Sequence, residues 1–354
     1  MSWRRQLQAA LGPQALWAAV AAVCCGAGAF LTGLSGGSAA RTFAALTANW
    51  LFFVGTAVGA VAFRALFRLI NAGWARPLAP LASAPAAFLP AASALLVLIV
   101  VGAAVSPWVA ESQGWLAAPF LVGRQLLLNA LLFVFAYRAF RKTNDASVPT
   151  LRASVGYLLV FATVLSIWAF DFVLGPAANY GNTLIGPYLF VGAFIAGADT
   201  VTLLGMERRV LTNQQRLDAA ALHLTLSIFW AYLFWSQYLT TWYGNLPDEI
   251  QFALRRGMDG WGAVVMAVVA LVFILPFLGL LHPRARASPR VLRLVLLGQL
   301  LGLWLNTSLL VLPSLSPPGS PPLGVRDVLL GLGMLGAFVL SVAPRLEQAA
   351  PATA

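Results

Sequence analysis

Asp171, Asp199 and His223 stand in stretches that are otherwise apolar: SIWAFDFVLG, FIAGADTVTLL and ALHLTLSIFW. Burying an ionisable group at membrane depth costs on the order of 3 kcal/mol, so each such group needs a reason to be there. Carboxylates and imidazole share one chemistry that suits this setting, the relay of protons. Tyr188 precedes Asp199 by eleven residues, three helical turns, so the two share a face, and Thr202 follows at i+3. From His223 the chain places Ser227, Trp230, Phe234 and Gln237 at helical spacing, one stripe along one helix. Read together, Asp171, Asp199, His223 and Tyr188 outline a proton path, with Asp199 and His223 toward one membrane face and Asp171 and Gln237 toward the other. The bland account is interhelical hydrogen bonding that holds a bundle together, with Trp230 and Phe234 as packing. Gln299 and Asn306, seven residues apart on one face, fit that second role, and Arg124 is a further ionisable residue within an apolar run.

The elements that must position these residues follow from composition. The 354 residues are 60% hydrophobic and only 9% charged, with mean hydropathy +0.83. That little charge cannot cover a water-facing surface. Apolar runs near the ~20 residues that cross a bilayer recur ten times. They lie at about 15–34, 44–63, 92–110, 119–138, 155–174, 184–205, 219–239, 260–281, 291–312 and 325–343. Strand-type alternation is absent, which excludes a β-barrel. The expectation is an all-α integral membrane protein, residues 1–354 forming a single polytopic domain.

Seventeen Lys and Arg residues fall in one alternating set of loops and four in the other, with Arg124 inside a run. By the positive-inside rule both termini are cytoplasmic, and the net charge of +11 is a topology signal rather than a nucleic-acid footprint. The first apolar run is too long for a signal-peptide core. The two cysteines, Cys24 and Cys25, are adjacent and form no haem-attachment or iron–sulfur pattern. A haem shared by His223 and His282 is conceivable, but His282 sits at a helix rim beside Pro283. No metal-ligating set and no phosphate-binding turn occurs.

Residues 242–256, WYGNLPDEIQFALRR, close the seventh run abruptly. Trp242 and Tyr243 suit an interfacial belt. Gly244 and Asn245 permit a turn, and Pro247 favours a helix start. Asp248 and Glu249 then complement the start of a short helix, Arg255 and Arg256 its end. Gln237, Tyr238, Trp242, Tyr243, Asn245, Asp248, Glu249 and Arg255 form a rim suited to docking a partner or admitting a lipid-soluble ligand.

The stretch FWAYLFWSQYLTTWYGNLPDEI resembles the FWAYxxFSQYxxxWYxNxPEE segment of the F-type membrane subunits of alternative complex III, a bacterial quinol:cytochrome c oxidoreductase. The preceding DFVLGPAANYGNTLIGPYLFVGAFIAG is similar to that family's DWVMSLEPHWxSTIxGxYxFxGxFxAG stretch. The likeness covers about residues 166–261. Within it, the family's Ser-Leu-Glu-Pro-His-Trp is replaced by Gly175-Pro176-Ala177-Ala178-Asn179-Tyr180. The resemblance implies an NrfD-like, polysulfide-reductase-type membrane subunit of ten spans. Spans two to five (44–174) and six to nine (184–312) would form two four-helix bundles, with the first and tenth peripheral. It implies a bacterial inner-membrane location. It also implies a sister membrane subunit and periplasmic iron–sulfur and c-type cytochrome partners holding the haem c and clusters. This chain would bind no cofactor alone, quinone or quinol aside, and would not be catalytic by itself. The expected function is assembly and proton conduction in quinol oxidation. The alternatives are a proton-coupled secondary transporter and a structural membrane anchor for periplasmic redox subunits.

Overall fold

A computed structural model describes residues 3–35, 38–104, 106–141, 148–177, 180–245, 247–257, 260–316 and 320–349. Among the described residues all regular structure is helical, and ten helices are long and apolar enough to cross a membrane. In chain order these spans are Leu11–Ser35, Ala39–Leu69, Leu81–Ala104, Ala118–Ala139, Thr150–Leu174, Ile185–Glu207, Asn213–Tyr243, Trp261–Leu281, Pro289–Leu315 and Val325–Gln348. The chain is a polytopic all-α membrane protein.

The second span is the axis of the molecule: 94% of its apolar window is buried, against 22% for the first and eighth spans, which turn most of their surface to lipid. Spans two to five pack on one another, as do spans six to nine. The second span joins the two groups by packing on the sixth and ninth, and the first span pairs with the tenth. Small residues set the central crossing. A methyl group at Gly59 would lie 1.9 Å from the Ala193 carbonyl oxygen, and one at Gly197 would lie 2.2 Å from the Ala60 nitrogen. Only glycine permits backbones this close, the usual means of tightening helix pairs in lipid. Tyr157 donates to the Val58 carbonyl at 2.6 Å, and Trp304 donates to Asn49 Oδ1 at 2.7 Å, fastening the fifth and ninth spans to the same axis.

Ion pairs at the helix ends respect the loop charge pattern. Arg208–Glu347 (3.2 Å) and Arg293–Glu207 (2.8 Å) each join residues at the arginine-rich ends, and Arg41–Asp327 (2.6 Å) joins residues at the opposite ends.

Most spans run a few residues past their expected bounds, and the starts of the third and seventh move furthest. The third begins at Leu81 rather than 92, because Pro80, Pro85 and Pro90 sit around a 3-10 stretch, Leu81–Phe88, that continues into the α-helix Leu89–Ala104. Pro107–Ala110 is a separate helical turn instead of the span's end. The seventh begins at Asn213 rather than 219. Thr212 Oγ1 accepts from the Gln215 N–H at 3.3 Å while Gln215 Oε1 accepts from the Thr212 N–H at 2.9 Å. This reciprocal cap starts the helix before its first apolar residue.

Candidate functional site

Asp199 and His223 meet. The Asp199 carboxylate lies 2.8 Å from His223 Nδ1, and both side chains are fully buried. On the other side of the ring, His223 Nε2 is 3.0 Å from Thr202 Oγ1. The i+3 spacing of Asp199 and Thr202 on the sixth span presents both to one imidazole on the seventh. His223 is not at a helix mouth, as its expected place near the start of span seven implied. It lies ten residues into the longer helix, about 15 Å along its axis. Asp199 lies eight residues from the matching end of the sixth span, so the pair sits well inside the bundle. The contact with His223 is close but poorly directed as a hydrogen bond, and Asp199 Oδ2 has no partner among the described residues.

Of the stripe expected on the seventh span, His223, Ser227, Trp230 and Gln237 lie on its buried face, which Leu233 and Thr241 share, while Phe234 is half-buried beside it. Above the pair, Tyr188 donates to Asn306 Oδ1 at 2.6 Å. A cavity of about 20 Å³ adjoins them, lined also by Thr307, which suffices for one water molecule. The Tyr188 ring lies 5.6 Å from that of Trp230, whose Nε1 is buried without a partner among the described residues. Gln299 donates weakly to the Val272 carbonyl at 3.4 Å, within the π-helical turn Ala270–Ile274 of the eighth span, and its Oε1 is likewise unpartnered. Higher still, Gln237 Oε1 accepts from Asn182 Nδ2 at 2.9 Å, and Asn182 also donates to Tyr180 Oη at 2.9 Å. Polar groups therefore recur at three levels of the sixth-to-ninth-span group, with buried atoms of unused hydrogen-bonding capacity between them.

Asp171 belongs to a different cluster. It lies in the π-helical turn Phe170–Leu174 that ends the fifth span. Arg124 grips it with Nη2 at 2.9 Å and Nε at 3.1 Å, Trp115 Nε1 donates at 2.8 Å, and Gln125 Nε2 donates to Oδ2. The Arg124 guanidinium also lies 3.9 Å above the Trp115 ring. Both oxygens are occupied by charge-assisted bonds, the arrangement of a locked buried ion pair. The structure thus groups Asp199 with His223 and, by separate bonds, Tyr188 with Asn306. It places Asp171 with Arg124.

The rim residues divide as well. Gln237 is buried, and Tyr238 packs its ring 5.0 Å from Phe234. Trp242 (71% exposed), Tyr243 (87% exposed), Asn245 and Arg255 face outward. Asn245 adopts φ +47°, the turn that the sequence asks for, and Pro247–Gly257 is the short helix expected after it. Glu249 approaches Gly181, and the side chain of Asp248 lies outside the described residues. The residue that anchors this helix is Arg256, absent from the expected rim set. It is 1% exposed, donates to Leu310 O at 2.6 Å and Ser314 Oγ at 3.1 Å, and lies 3.3 Å over the Phe252 ring. Phe252 in turn stacks on Tyr180 at 3.9 Å. Burial pushes the Arg256 guanidinium down to about 9, so it remains a cation at neutral pH. Its i+4 spacing from Phe252 was the available signal. Both histidines are engaged: His223 as above, and exposed His282 by accepting from the Arg284 N–H at 3.2 Å.

In comparisons with known proteins, the chain matches no family model and no curated protein.

Proposed function

We propose that the chain is a non-redox membrane subunit of a quinol-oxidising respiratory complex in a bacterial inner membrane, and that its sixth-to-ninth-span group carries protons. The carrying observation is the buried Thr202–His223–Asp199 cluster. With Nδ1–H toward Asp199, His223 Nε2 is free to accept the proton of the Thr202 hydroxyl. A proton arriving at Nε2 converts a cluster of charge −1 into a neutral imidazolium–carboxylate pair. The charge is thereby compensated at a depth where an isolated one is costly. The partnerless Oδ2 of Asp199 offers a second resting place. Tyr188, Asn306, Gln237 and Asn182 continue hydrogen-bonding groups toward the opposite face. The motif resemblance supports quinol oxidation as the reaction served, with haem c and iron–sulfur clusters in partner subunits. The Asp171–Arg124 pair supports assembly of the fifth span with the fourth.

The test is purification of the tagged chain in mild detergent from its native membrane. Co-purification of c-type cytochrome and iron–sulfur subunits, with a haem signal in the reduced-minus-oxidised spectrum, is expected. A lone, colourless protein would overturn the placement and favour a proton-coupled transporter, whose assay is proton flux in proteoliposomes holding this chain alone.

A further inference from the structure

The four spans around the Asp199–His223 pair differ above and below it. Past Thr202, the last polar partner of the ring, their buried residues toward the arginine-rich ends are all apolar. Ala220 of the seventh span, Leu280 of the eighth, and Leu292, Val295 and Leu296 of the ninth form one cluster, each at most 1% exposed. Leu203 and Met206 of the sixth span pack against it. On each span these residues lie between the level of Asp199, His223, the Val272 carbonyl and Gln299 and the arginine-rich end. Beside the cluster, Leu78 and Leu211 close on Gly205, where a methyl group would lie 2.3 Å from Leu78 Cδ2. The opposite direction is polar: Ser227, Gln237 and Thr241 of the seventh span and Asn306, Thr307 and Ser308 of the ninth are buried there. Among the described residues, His223 is the one charge-bearing group that acts on Asp199, and Arg64 of the second span donates to Ser83.

We infer that this cluster is an apolar seal, which closes the Asp199–His223 pair to the arginine-rich side and leaves it to exchange protons with the opposite side. Close-packed apolar side chains hold no water, so no hydrogen-bonded route runs through them. A charge crossing such a layer meets the cost it would meet in hydrocarbon, which is how apolar constrictions gate channels. The inference rests on the proton reading of the pair and adds its direction: protons reach and leave Asp199 along the polar ladder of Tyr188, Asn306, Gln237 and Asn182.

The test uses the full chain in proteoliposomes of one orientation. The infrared carboxyl band of Asp199, assigned by its loss in Asp199→Asn, is followed after a pH step on either side. A step on the side opposite the arginine-rich ends should change the band. The same step on the arginine-rich side should act about a hundredfold more slowly, the factor set by carrying a charge through an apolar layer. Leu296→Gln, which puts an amide into the seal, should remove most of that lag. Equal responses to both sides in the wild type would overturn the seal and leave the proton reading standing, whether or not Leu296→Gln folds. An unchanged lag in a folded Leu296→Gln would also overturn it. A band that answers to neither side would overturn the proton reading, and the seal with it.

Discussion

Asp171 and Asp199 are both acids in the membrane interior, yet their neighbours give them opposite characters. Asp171 has four donors and a cation. Removing either partner strands a buried charge, so Asp171→Asn or Arg124→Met should each cost about 3–5 kcal/mol. The Asp171→Leu/Arg124→Leu double variant should cost much less than the sum, since no charge is stranded. Chemical unfolding in detergent, read as a double-mutant cycle, checks this. At the inner cluster, Thr202→Val removes the only described partner of His223 Nε2. It should slow proton transfer about a hundredfold, the low end of the usual range for a positioned proton-transfer group. Thr202→Ser should restore the rate. At the rim, burial pushes the Tyr180 hydroxyl up to about 12 from its ordinary 10. The folded state therefore keeps a proton that the unfolded state loses, and stability falls as pH rises from 10 to 12. Arg256, lowered by burial, works in the opposite sense. The readout is thus the difference between wild type and Tyr180→Phe, which should lack that alkaline loss. At this scale the sequence made the unusual residues visible but not their partners. Asp171 and Arg124 are 47 positions apart, and nothing local links them.

The helices explain why the site is where it is. Gly197 lies two residues before Asp199 and makes the second and sixth spans touch backbone to backbone. Gly197→Val has no flexible neighbour to displace, so it should cost at least about 3 kcal/mol, the upper range of overpacking. Thermal unfolding is the check. Arg256→Ala removes hydrogen bonds from a charged donor worth about 1.5–3 kcal/mol. Hydrogen exchange over 247–257 should quicken by tenfold or more. Ten spans were legible because lipid demands long apolar runs, and the buried face of the seventh was legible because its polar residues keep helical spacing. The start of the third was obscured by its prolines, which a 3-10 stretch accommodates. The start of the seventh was obscured because a Thr-x-x-Gln cap lies in a polar segment that hydropathy reads as loop. Arg256 was obscured because a helix-end arginine has a sufficient dipole explanation without burial.

Across the whole molecule, the second span serves as a common wall for two helical groups that carry different polar equipment. One group holds a closed ion pair near one face, and the other holds a titratable pair with unused hydrogen-bonding capacity and a polar ladder leading away from it. A proton carrier needs the second arrangement and a scaffold needs the first. The most direct measurement of the proposed function is proton release per quinol oxidised, in liposomes, by the complex the proposal assigns to this chain, comparing wild type with Asp199→Asn. Loss of at least nine-tenths of the coupled proton release, with the complex still assembled, is the predicted result. Unchanged release and unchanged quinol turnover would contradict the proton path through Asp199 and His223.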